Sequence, residues 1–248
     1  MENFDQLMAQ IKNDLIREQK KRKSRCVAAF DADGTLWDID CGENFLRFLV
    51  RNKIIDDVSG VNPWDYYNSL RWEAAKVEEA LVWLTTTMSG KSWSEVRALA
   101  EASYLEALPF PHFAEMGKLV AELMALGLEV FVVSASPKWS VEPAAKRIGI
   151  DAEHVLGLQC KTIEGRLSEE IMRPMSHGPG KVEVLRSIIG DKELVFAAGN
   201  TMGDFPLIKA SKGKGLAISS VPAGGLNFSS EFELQTAATV NSWYKWSF

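Results

Sequence analysis

Four short apolar runs, each closed by small or polar residues and separated by helical patterns, constrain this 248-residue chain more than any other feature. They are Cys26 to Phe30, Val130 to Val133, Leu194 to Ala198 and Gly215 to Val221. Runs this short without alternation suit strands buried on both faces. Helical periodicity fills the intervals: Pro111 to Leu126 closed by Gly127, Val141 to Ile148 closed by Gly149 with Pro143 in the first turn, and Gly180 to Ile189 closed by Gly190. Glycine just past a helix end supplies the left-handed residue that ends it. Strands alternating with helices predict βαβ units and a parallel sheet with right-handed crossovers.

The alternation stops between residues 38 and 108, where helical periodicity carries no strand pattern. Ser92 and Glu95 have capping-box spacing and open a helix through Ala107. The expected fold is therefore α/β, a Rossmann-like parallel sheet sandwiched by helices, with a small all-helical domain inserted after the first strand. The expected boundaries are 1–24 for an N-terminal amphipathic helix (Phe4, Leu7, Met8, Ile11, Leu15 and Ile16 on one face), 25–37 and 109–248 for the core, and 38–108 for the insertion.

The first strand runs into Asp31-Ala32-Asp33-Gly34-Thr35. Two aspartates two apart in extended backbone share a side. They would lie beyond the carboxyl end of a parallel strand, where open α/β sheets bind ligands. Carboxylates this close repel unless a cation or shared proton relieves them, and oxygen ligands suit magnesium. A solvated acidic turn is the plain alternative. Three scattered histidines and three cysteines without a CxxC pair argue against a zinc site or a disulfide framework.

Asp31 to Trp37 resembles the first motif of the haloacid-dehalogenase-like superfamily of aspartate-nucleophile phosphatases. Ser134 after the second strand resembles the second motif, Lys181 in His177–Leu185 the third, and Gly199 to Asp204 after the third strand the fourth. Ser134 to Ile150 is similar to the phosphoserine-phosphatase-like branch, and the insertion resembles that family's C1-type cap. The resemblance covers roughly 25–38 and 110–220. One departure stands out: the family's fourth motif often has an aspartate where this chain has Asn200.

The resemblance implies a magnesium-dependent phosphatase acting on a small phosphomonoester through an aspartyl phosphate. Asp31 would be the nucleophile and Asp33 the general acid and base. Asp31, Asp204 and the Asp33 main-chain carbonyl would hold Mg2+, with Asn200 behind them. Ser134, Lys181 and the backbone at Ala135 would bind the phosphate oxygens. Phosphoryl transfer to an alcohol acceptor and a non-catalytic phosphate-binding regulatory role are the alternatives. A nucleotide P-loop at Met175 to Val182 fails, since the required glycine and hydroxyl are missing. A dehalogenase needs no acid at Asp33.

Substrate recognition is expected from the insertion, rich in Trp64, Tyr66, Tyr67, Trp72, Trp83, Trp93 and Tyr104, with Trp37 beside the chemistry. Aromatic faces bind quaternary ammonium groups, so phosphocholine is one candidate. Glu43 and Arg47, four apart on a helix, would read the ammonium and carboxylate of phosphoserine, or form a plain surface pair. The net charge of −5 argues against nucleic acid, and no apolar run reaches bilayer length. The polar N-terminus has no secretory h-region. A cytoplasmic monomer or homodimer with a small phosphorylated metabolite as its partner is expected. The aromatic tail Trp243 to Phe248 would pack back on the body or make a dimer contact.

Overall fold

A computed structural model describes residues 3–225 and 227–248; residues 1, 2 and 226 lie outside it. In chain order the elements are α1 (Phe4–Lys20), β1 (Cys26–Phe30), α2 (Cys41–Arg51), α3 (Pro63–Arg71), α4 (Val77–Thr86), α5 (Trp93–Glu106), α6 (Ala114–Ala125), β2 (Glu129–Pro137), α7 (Lys138–Arg147) and β3 (Val155–Leu158). Then follow β4 (Cys160–Ile163), β5 (Arg166–Ile171), α8 (Gly180–Ile189), β6 (Glu193–Gly199), α9 (Phe205–Ala210), β7 (Lys214–Ser219), α10 (Phe228–Asn241) and β8 (Tyr244–Ser247).

Six strands form one sheet in the order β3-β2-β1-β6-β7-β8, and every pairing in it is parallel. β1 shows why its sequence is apolar throughout. Cys26, Ala28 and Phe30 enter the core shared with α1, α6 and α7, while Val27 and Ala29 enter the core shared with α8, α9 and α10. Alternate residues face opposite layers, and both layers bury them. The chain leaves β1 toward β2 on one side and returns through β6 on the other. That reversal opens a crevice above the carboxyl end of β1.

α1 begins with a reciprocal cap between Asn3 and Gln6 and buries Phe4, Leu7, Ile11 and Leu15. α5 begins with the capping box of Ser92 and Glu95. Gly127 and Gly149 take positive φ (81° and 85°) at their helix ends. Residues 41–106 run through four α-helices, as the periodicity predicts.

Several elements depart from the sequence reading. β2 runs to Pro137 and passes directly into α7, which starts at Lys138; Pro143 therefore lies inside the helix and not in its first turn. The short edge strand β3 and the β4–β5 hairpin were not expected. The hairpin turns at Glu164 and Gly165, both at positive φ (50° and 80°), which matches the right-handed twist of its strands. It docks on the helical insertion: Gly90 N donates to Leu167 O at 2.7 Å and Leu167 N to Lys91 O at 2.9 Å. The aromatic tail packs back. β8 extends the sheet beside β7, Trp246 meets Phe4 edge-on at 4.8 Å and Phe248 stacks on Phe113 at 3.9 Å.

Candidate functional site

Asp31 follows β1 directly, its backbone N still bonded to Ala198 O of β6 at 2.9 Å. Asn200 follows β6, Ser134 lies in β2 and Lys181 in the first turn of α8. The sheet order thus brings four distant segments to one edge. They form the floor of a cavity of about 580 Å³, which the helical insertion roofs. That volume suits a small molecule.

Lys181 is buried at 3% exposure. Its Nζ donates to Asp31 Oδ1 and Asp204 Oδ1, each at 2.6 Å. Burial alone disfavours an ammonium, yet the charges of Asp204 and Asp31 outweigh it and hold the pKa above that of an ordinary lysine. The Asp31 carboxyl is pushed up to about 6, first by burial and then by Asp204, against the pull of Lys181. Thr35 Oγ1 donates to its second oxygen at 2.9 Å. The second oxygen of Asp204 accepts from the backbone N of Asn200 and of Thr201, both at 3.1 Å.

Asp33 sits at the junction of floor and roof. Trp37 Nε1 (2.8 Å) and Cys41 N (3.0 Å) donate to one oxygen, and Ser136 Oγ (2.6 Å) to the other. Withdrawal from water, followed by the neighbouring charge of Asp40, pushes its carboxyl up to about 7. Ser134 is buried; its Oγ accepts from Ser136 N at 3.0 Å, which leaves the hydroxyl proton free to donate. Ala135 lines the same cavity.

Two specificity candidates lie elsewhere. Trp37 is fully buried against Phe110 and His112 and supports Asp33 with its indole N–H, so it offers no face to the cavity. Arg47 stacks on Trp64 at 3.5 Å on the outside of the insertion, because position 47 falls on the solvent face of α2. Glu43 does line the cavity, and its ion-pair partner is Arg71 of α3. Arg71 also lies over Tyr67 and Trp72, at 5.6 and 4.8 Å from the ring centroids.

The sequence reading missed Ser136, Arg71 and Glu231, whose carboxylate accepts from Asn200 Nδ2 at 3.0 Å, whereas Tyr67, one of the insertion aromatics it named, does line the cavity. Ser136 was legible in part, being two residues beyond Ser134 on the same strand. Arg71 and Glu231 had no local signal; each meets its partner only through packing of separate helices.

The donor set suits magnesium. Among the described residues no three His, Cys, Asp or Glu side chains form a metal cage. Mg2+, however, commonly takes one or two carboxylates and completes its shell with water and phosphate. Asp31 and Asp204 already converge on a single cationic centre.

The family described as haloacid dehalogenase-like hydrolase matches residues 28–209. A phosphoserine phosphatase of Albidiferax ferrireducens is 25% identical over 217 residues, covering 80% of this chain and 85% of that relative. A "probable phosphatase" of Mycobacterium tuberculosis is 26% identical over 131 residues, covering 51% of this chain and 45% of the relative. The chain therefore spans less than half of that second protein's length. A crystal structure of a protein of unknown function from Bordetella pertussis Tohama I shares the fold, with a TM-score of 0.73, 20% identity, and coverage of 90% of this chain and 98% of that one.

Proposed function

This chain belongs to the haloacid dehalogenase-like hydrolases, and we propose that it hydrolyses a small phosphomonoester with Asp31 as nucleophile. The observation that carries the reading is the Lys181 ammonium, shared at 2.6 Å between Asp31 and Asp204 on the floor of a cavity of small-molecule size. An attacking carboxylate must be ionised, and a fixed cation beside it favours that form. Lys181 and the Ser134 hydroxyl would stabilise charge on the transferring oxygens, the main task of protein groups in phosphoryl transfer.

The two acids differ in the order their roles need. Asp31 at about 6 is ionised at neutral pH, whereas Asp33 at about 7 keeps much of its proton. Asp33 would give that proton to the leaving alkoxide, then take one from the water that opens the aspartyl phosphate. Ser136, Trp37 and Cys41 N fix its orientation. Asp31, Asp204 and the Asp33 main-chain carbonyl would hold Mg2+. When bound, the ion would neutralise phosphate charge.

The roof supports an amino-alcohol ester that also carries a carboxylate, as phosphoserine does. Arg71 and Glu43 present both signs of charge to the cavity. Tyr67 and Trp72 already lie under the Arg71 guanidinium, which makes them a poor cage for a quaternary ammonium. The relative described as a phosphoserine phosphatase points the same way. Phosphate release from phosphoserine, phosphoethanolamine, phosphocholine and sugar phosphates, with and without chelator, tests the reading. Phosphoserine with magnesium is expected to turn over fastest. Failure of every ester to release phosphate refutes the hydrolase reading, and a preference for phosphocholine refutes the roof assignment.

A further inference from the structure

Glu231 of α10 is fully buried, and no step described above uses it. Four donors reach its carboxylate within 3.1 Å. Asn200 Nδ2 donates to Oε1 at 3.0 Å; Ser219 Oγ, Ser220 N and Val221 N converge on Oε2 at 3.0, 3.0 and 3.1 Å. A carboxylate only accepts hydrogen bonds. The Asn200 amide therefore has one orientation open to it, with Nδ2 toward Glu231 and Oδ1 on the side of Thr35 and Asp31, where Thr35 Oγ1 lies 3.5 Å from Oδ1. Gly34, at φ 75°, makes room for the amide: a Cβ there would lie 2.1 Å from Nδ2.

We propose that Glu231 is a positioning residue: it locks the Asn200 amide so that its carbonyl oxygen, and not its NH₂, faces the cation site beside Asp31. The inference rests on the magnesium reading given above. A neutral amide works in place of a carboxylate only if its oxygen end is presented, and nothing in the asparagine itself decides which end that is. Glu231 makes that decision from outside the cavity. Outer partners of this kind commonly change metal affinity by about 10–100-fold when they are altered.

Glu231→Gln tests the lock directly. The three donors at Oε2 retain the oxygen of the introduced amide, so its NH₂ must face Asn200. Asn200 then flips to accept, and turns its own NH₂ toward Asp31. Magnesium binding is read by calorimetry on the full chain without substrate, with thermal melting as the check on folding. Glu231→Gln is expected to weaken Mg2+ binding about tenfold or more. Glu231→Asp keeps the charge but shortens the reach, and is expected to weaken binding several-fold. Pairing Glu231→Gln with Asn200→Asp exchanges donor and acceptor and is expected to restore binding to within about threefold of the wild type. Wild-type affinity in Glu231→Gln overturns the proposal, as does wild-type affinity in Glu231→Asp, which would reduce Glu231 to a distant charge. If Glu231→Gln does not fold, Glu231→Asp and the exchanged pair still decide. A wild type that binds no Mg2+ overturns the proposal together with the magnesium reading, whatever the enzyme hydrolyses.

Discussion

On the floor of the cavity, every charged group meets its partners inside the protein: Lys181 lies between Asp31 and Asp204 at 2.6 Å, and Asp204 takes two backbone N–H groups besides. The roof is built more loosely. Arg71 and Glu43 pair with each other, while Trp72 stands 59% exposed at the rim. The floor is carried on three strand ends and one helix start of a two-faced core, and the roof on α3, α4 and the start of α2. Buried charges are tolerated only when geometry and hydrogen bonding are complete. The floor therefore fixes its atoms and suits bond-making. The roof can vary its side chains at small structural cost and suits selection among substrates.

The sharpest attack on this contrast is at Asp31. Asp31→Asn is expected to leave the fold intact and to lower phosphate release on the order of 10⁴-fold or more. Near-normal turnover in a folded variant would remove Asp31 as the nucleophile.

Asp33→Asn comes next, with an expected loss of about 10²–10⁴-fold for alkyl esters, the range of acid–base assistance. The wild type should lose kcat as pH rises through about 7, because Asp33 then surrenders the proton it must donate. An alkaline limb that persists unchanged in the variant would mean that another group titrates there. Stability has the same direction. A raised carboxyl pKa favours the folded state fully below the ordinary value of 3.8, and that benefit is lost as pH rises through about 7. In chelator at pH 8, Asp33→Asn is expected to be more stable than the wild type in denaturant titrations, because the variant keeps a neutral group where the wild type buries a charge. At pH 4 the gap should close.

A smaller effect is expected on the roof. Arg71→Ala should raise KM about 10–100-fold for phosphoserine, the worth of a hydrogen bond to a charged group, and leave kcat and the KM of uncharged-tail esters nearly unchanged. Equal losses on all substrates would make Arg71 a structural strut of the insertion. The least effect belongs to Arg47, which stacks on Trp64 away from the cavity. Arg47→Ala should cost about 0.5–1 kcal/mol of stability and leave kinetics within about twofold. A selective loss on phosphoserine would return Arg47 to the recognition role that its spacing from Glu43 first suggested.

The floor was legible because its residues are tied to strand ends. An apolar run followed by Asp31 and Asp33, or by Gly199 and Asn200, identifies both the strand and the crevice above it. The structure places Asp31, Asp33, Ser134, Ala135, Lys181, Asn200 and Asp204 around one cavity. The roof was less legible, since helical spacing gives the face of a residue but not the neighbouring helix. Position 47 is four from Glu43, as a pair requires, yet α2 turns it outward to Trp64 while Arg71 arrives from α3. Trp37 was close in sequence and still wrong for the pocket, because its ring fills the core beneath Asp33. The hairpin β4–β5 leaves only a weak trace in the sequence, since Gly165 alone marks its turn and its strands are short and largely exposed.

Sequence by itself determined the parallel sheet, the helical insertion and the acidic edge, since apolar run length, periodicity and turn residues are properties of neighbours along the chain. Tertiary structure alone decided which partner each charged side chain keeps. Ser136 reaches Asp33 across 103 positions and Glu231 reaches Asn200 across 31. Such pairings cost nothing to specify locally and everything to satisfy globally: a buried donor must meet an acceptor once water is gone, and only the packed fold says which acceptor is there.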